Sequence, residues 1–147
     1  MSQSETHRKL VTQVEKALEA RYPRLSIVTD VQQAPSDAVP PLIGGYRPDV
    51  YARKILSNEI VIAEAKTDRD IDRTHTHNQI VSFLTYLERK GNGLFVLSAT
   101  GHGANHAKTL LRFIYRDMPV KSTDIAVFDG YDFWLLNPTG GMGWHLS

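Results

Sequence analysis

Ile60-Val61-Ile62-Ala63 is apolar at four consecutive positions, so a strand there has no polar side to turn toward water and must be covered on both faces. This demands a central strand with other elements packed above and below it. The run ends in Glu64-Ala65-Lys66. Charged side chains are rarely buried unless paired, so an acid and a base at the end of a buried strand imply a cleft with partners in it.

The rest of the chain supplies elements to build around that strand. Residues from about Ser4 to Tyr22 read as an amphipathic helix, with Leu10, Val14 and Leu18 four apart, Val11 beside them, and Ser2 with Glu5 as a capping box. Leu25 to Val31 reads as a first strand, and Gln32 to Gly45, rich in Pro, Ser, Asp and Gly, as a loop. Tyr46 to Arg53 and Glu59 to Lys66 read as a hairpin closed by a polar turn around Ser57 and Asn58. A helix is expected from about Thr74 to Lys90, with Ile80, Phe83, Leu84 and Leu87 on one face and Gly91 as its stop. Leu94 to Ser98 is a short buried strand, and Ala104 to Arg116 a helix whose apolar side is Leu110, Leu111, Phe113 and Ile114. Ile125 to Phe128 and Phe133 to Leu136 form two last strands around the turn dipeptide Asp129-Gly130. The expected fold is a single α/β domain over 1–147, in the order α-β-β-β-α-β-α-β-β.

Composition narrows the function. The chain has 147 residues and no cysteine, which removes thiolate catalysis and thiolate zinc sites and leaves oxygen or imidazole as metal ligands. No apolar run approaches the ~20 residues of a membrane span, and the opening MSQSETHRKL lacks a signal-peptide core, so a cytoplasmic location is expected. A net charge of +1 does not mark a nucleic-acid binder globally. Local basic density does occur, at Arg47 to Lys54, at Lys66 to Arg73, and at Lys108, Arg112 and Arg116.

Pairing the two hairpin strands symmetrically about the midpoint between Leu56 and Ser57 sets Asp49 opposite Glu64. Cross-strand neighbours have Cβ atoms about 4.5–5.5 Å apart, so two carboxylates converge on one face and repel. A divalent cation such as Mg²⁺ or Mn²⁺, which prefers oxygen ligands, is the most economical compensation. Lys66, two positions beyond Glu64, returns to the same face while Ala65 points away. Metal and ammonium side by side suit a phosphodiester, the one activating water and the other stabilising developing charge.

Arg47-Pro48-Asp49 on one strand and Glu64-Ala65-Lys66 on the next resemble the two halves of the PD-(D/E)xK nuclease motif. The resemblance covers about residues 5 to 100 and implies a restriction-endonuclease-like core, a central mixed sheet flanked by helices. It implies that Asp49, Glu64 and the Ala65 carbonyl are metal ligands and that Lys66 is the catalytic lysine. By the same resemblance, Glu15 on the first helix is an additional acid reaching the metal, and Gln79 on the helix after the catalytic strand contacts the site or substrate. Branches with that glutamine often carry a tyrosine four or five positions later, where this chain has Phe83 and Leu84, with Tyr86 further on. Arg47, Arg69 and Arg73 become phosphate contacts. The implied activity is hydrolysis of DNA, more than RNA, with recognition from loops, a homodimer partner or another protein. Restriction, defence and junction-resolving roles stay open, and a non-catalytic nucleic-acid-binding or assembly module retaining the fold is the alternative.

Other candidates carry blander readings. His102 and His106 stand four apart, but His102 lies between Gly101 and Gly103 and is placed in a loop, so the pair is not read as a zinc site; with His75 and His77 it is read as solvated or phosphate-contacting. Tyr131, Phe133, Trp134 and Trp144 are read as core or subunit-contact aromatics rather than a base-stacking platform.

Overall fold

The computed structural model of the chain describes residues 5–30, 39–118 and 122–137. Its elements run α1 (Glu5–Arg21), β1 (Leu25–Thr29), β2 (Val50–Lys54), β3 (Ile60–Ala65), α2 (Thr74–Lys90), β4 (Leu94–Ser98), α3 (His102–Arg116), β5 (Asp124–Phe128) and β6 (Phe133–Leu135). The six strands make one mixed sheet in sequence order, β1 to β6. Pairing is antiparallel from β1 to β3, parallel from β3 to β5, and antiparallel again between β5 and β6. The parallel steps are the two that contain helices, because a parallel return needs a crossover long enough to bring the chain back to the same end.

Every residue of β3, β4 and β5 is buried. Their alternate side chains feed two cores. On one face Val61, Ala63 and Ala65 meet Leu10, Val11, Val14 and Leu18 of α1. On the other, Ile60 and Ile62, with Phe95 and Leu97 of β4, meet Ile80, Phe83, Leu84 and Leu87 of α2 and Leu111 and Ile114 of α3. The apolar run at 60–63 is thus covered on both sides, by one helix above and two below. No helix among the described residues is long and apolar enough to cross a membrane.

The β2–β3 register pairs Val50 with Ala63 and Tyr51 with Ile62, the symmetric register expected about Leu56 and Ser57. Several boundaries differ from expectation. β2 starts at Val50 rather than Tyr46, since Pro48 lacks the amide a ladder needs. Ahead of it, Ile43 and Tyr46 bridge across Gly44 and Gly45, whose φ of 60° and 87° make a two-residue turn that side-chain-bearing residues adopt only with strain. Val31 at the end of the expected first strand, the 32–38 portion of the expected loop and the Ser2 half of the capping box lie outside the described residues. α3 begins at His102, two residues before the expected Ala104, so His102 is helical rather than in a loop. Its Phe113, expected in the core, is 50% exposed. Phe128 pairs with Phe133, as the expected strand ends require, and Asp129-Gly130 falls within the four-residue connection between them. Asp129 closes it by accepting the amides of Tyr131 and Asp132, each at 2.8 Å.

Phe95, fully buried beside Phe83, carries much of the two-helix core. Phe95→Ala is expected to cost about 3–5 kcal/mol in urea unfolding, whereas Phe113→Ser should stay within about 0.5 kcal/mol. A small loss at Phe95 would mean that the core closes over the gap.

Candidate active site

The ladder between β2 and β3 stops at Val50 and Ala63, and the two strands part beyond it. Beyond it the Asp49 and Ala65 amides each donate to a carboxylate of the opposite strand. The Asp49 amide donates to Glu64 Oε1 at 3.0 Å, and the Ala65 amide donates to Asp49 Oδ2 at 2.9 Å. The two acids thus face each other across the open end of the hairpin. Both are almost fully buried, Asp49 at 5% and Glu64 at 3% exposure.

Two cations answer them. Lys66, just past β3, places Nζ 3.4 Å from Glu64 Oε2 and donates to Gln79 Oε1 at 2.5 Å. Gln79 is buried on the first turns of α2, so the lysine is held between that helix and Glu64 of β3 by two contacts. His7, near the start of α1, sets Nε2 3.1 Å from Asp49 Oδ2. Burial pushes the Glu64 carboxyl well above its ordinary value, the Asp49 charge adds to the rise, and Lys66 and the Asp49 amide offset it only partly. The hydrogen bond to Asp49 raises His7 above its ordinary value, against burial and Lys66, which lower it.

Of the residues singled out from sequence, the structure brings together Asp49, Glu64, Ala65, Lys66 and Gln79. Glu15 is not among them. It lies on α1 eight residues beyond His7, about 12 Å along the axis at the usual helical rise, and the groups that act on its carboxyl are Glu19 and Lys16. The α1 position beside the acids belongs to His7 instead. The signal for it was present: Leu18, Val14, Val11 and His7 step back along one face by four, three and four. A histidine at the end of an apolar stripe is where a helix reaches a polar site.

The basic residues divide. Arg47 donates to the Pro40 carbonyl and so ties the preceding loop to the strand entrance. Arg69 and Arg73, with Thr6, Leu10, Thr67 and Thr100, line a cleft of about 520 Å³. It opens one residue along the chain from both His7 and Lys66. Arg73 is held at 3.1 Å by Asp70, which with Asp68 gives the cleft a mixed charge. Gly103 lets α3 start close against it, since a Cβ there would lie 2.3 Å from Asp68 Oδ1.

The donor set at the hairpin end is oxygen-rich, with Asp49 Oδ1 and Glu64 Oε2 left over from the backbone bonds, which suits a hard cation. Among the described residues, no group of three or more His, Asp or Glu is arranged to hold a metal ion by side chains alone. His102 and His106 are both exposed on α3. Trp134 donates to Asp129 at 2.8 Å and lies under Lys108 at 4.2 Å, Phe133 packs on Phe128, and Trp144 lies outside the described residues. Comparison with protein-family models, with curated proteins and with solved structures finds no match to this chain.

A group whose pKa is raised on folding binds protons better in the folded state, so its stabilisation is complete below the unfolded pKa and is lost as pH rises through the folded one. Glu64 and His7 both act in this sense. Metal-free protein is therefore expected to lose stability as pH rises from 4.5, the ordinary value for Glu64, to beyond 6.5, that for His7. Urea unfolding in EDTA across that range measures it. Glu64→Gln keeps an acceptor for the Asp49 amide and should flatten the profile, and an unchanged profile would mean that Glu64 ionises as it does in water.

Proposed function

We propose that this chain is a metal-dependent nuclease of the PD-(D/E)xK type, hydrolysing phosphodiester bonds in DNA. The observation that carries the reading is the register at the end of the β2–β3 hairpin. It sets Asp49 against Glu64, with Lys66 on the same side of the strand and held by Gln79. A hydrophobic sheet seldom spends two buried carboxylates and an ammonium at one point unless the charges have work to do.

Asp49, Glu64 and the Ala65 carbonyl are the oxygen donors for Mg²⁺ or Mn²⁺, which, when bound, supplies Lewis acidity toward the phosphate and an acidified water. Lys66 is the catalytic residue of this chain. Its ammonium stabilises negative charge building on the phosphoryl oxygens. Gln79 is a positioning residue, fixing Nζ so that no reorganisation accompanies the reaction, and His7 performs the same service for Asp49. Arg69 and Arg73 bring phosphates into the adjoining cleft. Arg47, bound to the Pro40 carbonyl, serves the loop rather than the substrate.

A second reading has its own observation. One oxygen of each acid is spent on a strand amide, as in a device that closes a hairpin end without chemistry, and this favours a non-catalytic module. Cleavage assays on linear, circular, single-stranded and branched DNA with Mg²⁺, Mn²⁺ or EDTA separate the two. The nuclease reading expects metal-dependent cutting that drops by about 10²-fold or more in Lys66→Ala. No cutting on any substrate would favour the module, and cutting that survives in Lys66→Ala would remove Lys66 from the catalytic role.

Glu15→Ala should cut at close to the wild-type rate, since its carboxyl lies two turns of α1 away from the acids. Arg69→Ala should raise KM with little change in kcat and flatten the salt dependence of binding by about one unit. A Glu15→Ala enzyme as dead as Lys66→Ala would bring that acid back into the site.

A further inference from the structure

The tip of the β2–β3 hairpin leaves two aliphatic side chains in water, Ile55 at 64% and Leu56 at 79% exposure. Turn positions ordinarily carry Gly, Asn, Asp or Ser, so local folding gives no reason for this pair. With Tyr22 and Pro23 at the end of α1 they line a largely apolar depression of about 330 Å³. The charged residues that line it are Arg21, Arg24 and Lys54, all cations. Lys54 is kept there by the Tyr22 ring at 5.6 Å and by Glu59 at 3.2 Å. The Ile55 amide donates to the Arg24 carbonyl at 3.1 Å, tying the tip to the α1–β1 turn and giving the depression a fixed shape.

We propose that this depression docks an acidic peptide segment of a partner protein. One bulky apolar side chain seats between Tyr22 and Leu56, and flanking carboxylates meet Arg21, Arg24 and Lys54. Charge and shape together select this occupant. A second copy docked face to face would bring three like cations against three. Nucleic acid would satisfy the cations but leave two aliphatic side chains facing phosphate and sugar. A lipid surface would touch the tip without filling a concavity. An acidic peptide with an apolar anchor answers both features, and an anchor in a pocket is how small interfaces concentrate their affinity. The depression sits at the far end of β2 and β3 from Asp49 and Glu64, five or so residues or about 17 Å along the strands, so docking leaves the other end of the hairpin open.

The test is fluorescence anisotropy with labelled peptides in which Asp and Glu flank a single Leu or Phe. Controls replace that residue by Ser or the acids by Lys. The acidic Leu or Phe peptide is expected to bind with a Kd below about 1 mM, more weakly as salt rises, and at least about tenfold more weakly to Leu56→Ser and to Arg24→Glu. Both positions are exposed, and circular dichroism checks that the variants fold. No binding by either peptide, or binding indifferent to both substitutions, overturns the proposal. So does Leu56-dependent binding of phosphatidylglycerol vesicles or duplex DNA without peptide binding, or a dimer that Leu56→Ser dissolves. No readout involves cleavage, so the result stands whether or not the chain cuts DNA.

Discussion

Two strand amides at the open end of the β2–β3 hairpin, each donating to a carboxylate of the opposite strand, are the point on which this structure turns. A buried N–H without an acceptor costs on the order of 1–3 kcal/mol, and here the acceptors are the carboxylates of Asp49 and Glu64, each reaching across to the other strand. The exchange fixes both acids in place. It also buries two negative charges at one point, and the burial of Glu64 is what pushes its carboxyl upward. The remaining polar residues of the site follow from that debt of charge: Lys66 against Glu64, His7 against Asp49, and Gln79 behind the lysine.

Each of those partners comes from a different layer of the fold. Lys66 continues the central strand, His7 comes from the helix on one face of the sheet, and Gln79 from a helix on the other. The sheet is only one residue thick, so at its end side chains from both faces reach the same place. This is why the polar cluster lies at a strand terminus while the middle of β3 is apolar throughout. Removing one cation from such a cluster would leave a buried charge uncompensated, which is far costlier than losing a surface ion pair.

On the proposed nuclease reading, the arrangement divides labour between the oxygens. Asp49 Oδ2 and Glu64 Oε1 serve the backbone, while Asp49 Oδ1 and Glu64 Oε2 are left for chemistry. A site held by main-chain bonds needs little reorganisation when it acts, which is the condition under which fixed charge is most effective. The opposite end of the same hairpin carries the exposed Ile55 and Leu56, so one supersecondary unit presents a polar, buried end and an apolar, exposed one.

Much of this was written locally in the chain. The apolar run at 60–63 demanded cover on both faces, Ile80 to Leu87 declared the inner side of α2, and the symmetric turn about Leu56 and Ser57 was enough to set Asp49 against Glu64. Period and spacing are properties of neighbouring residues, so sequence alone determined the central strand, the long helices and the pair of acids with its lysine. Only tertiary structure decided which residue of α1 meets that pair. The rotation and slide of one helix over a sheet depend on side chains from β2 to β6, not on the helix itself, and they bring His7 rather than Glu15 to Asp49. For the same reason Phe113 fell outside the core: its place was settled by what lay across from it in space, which no local pattern records.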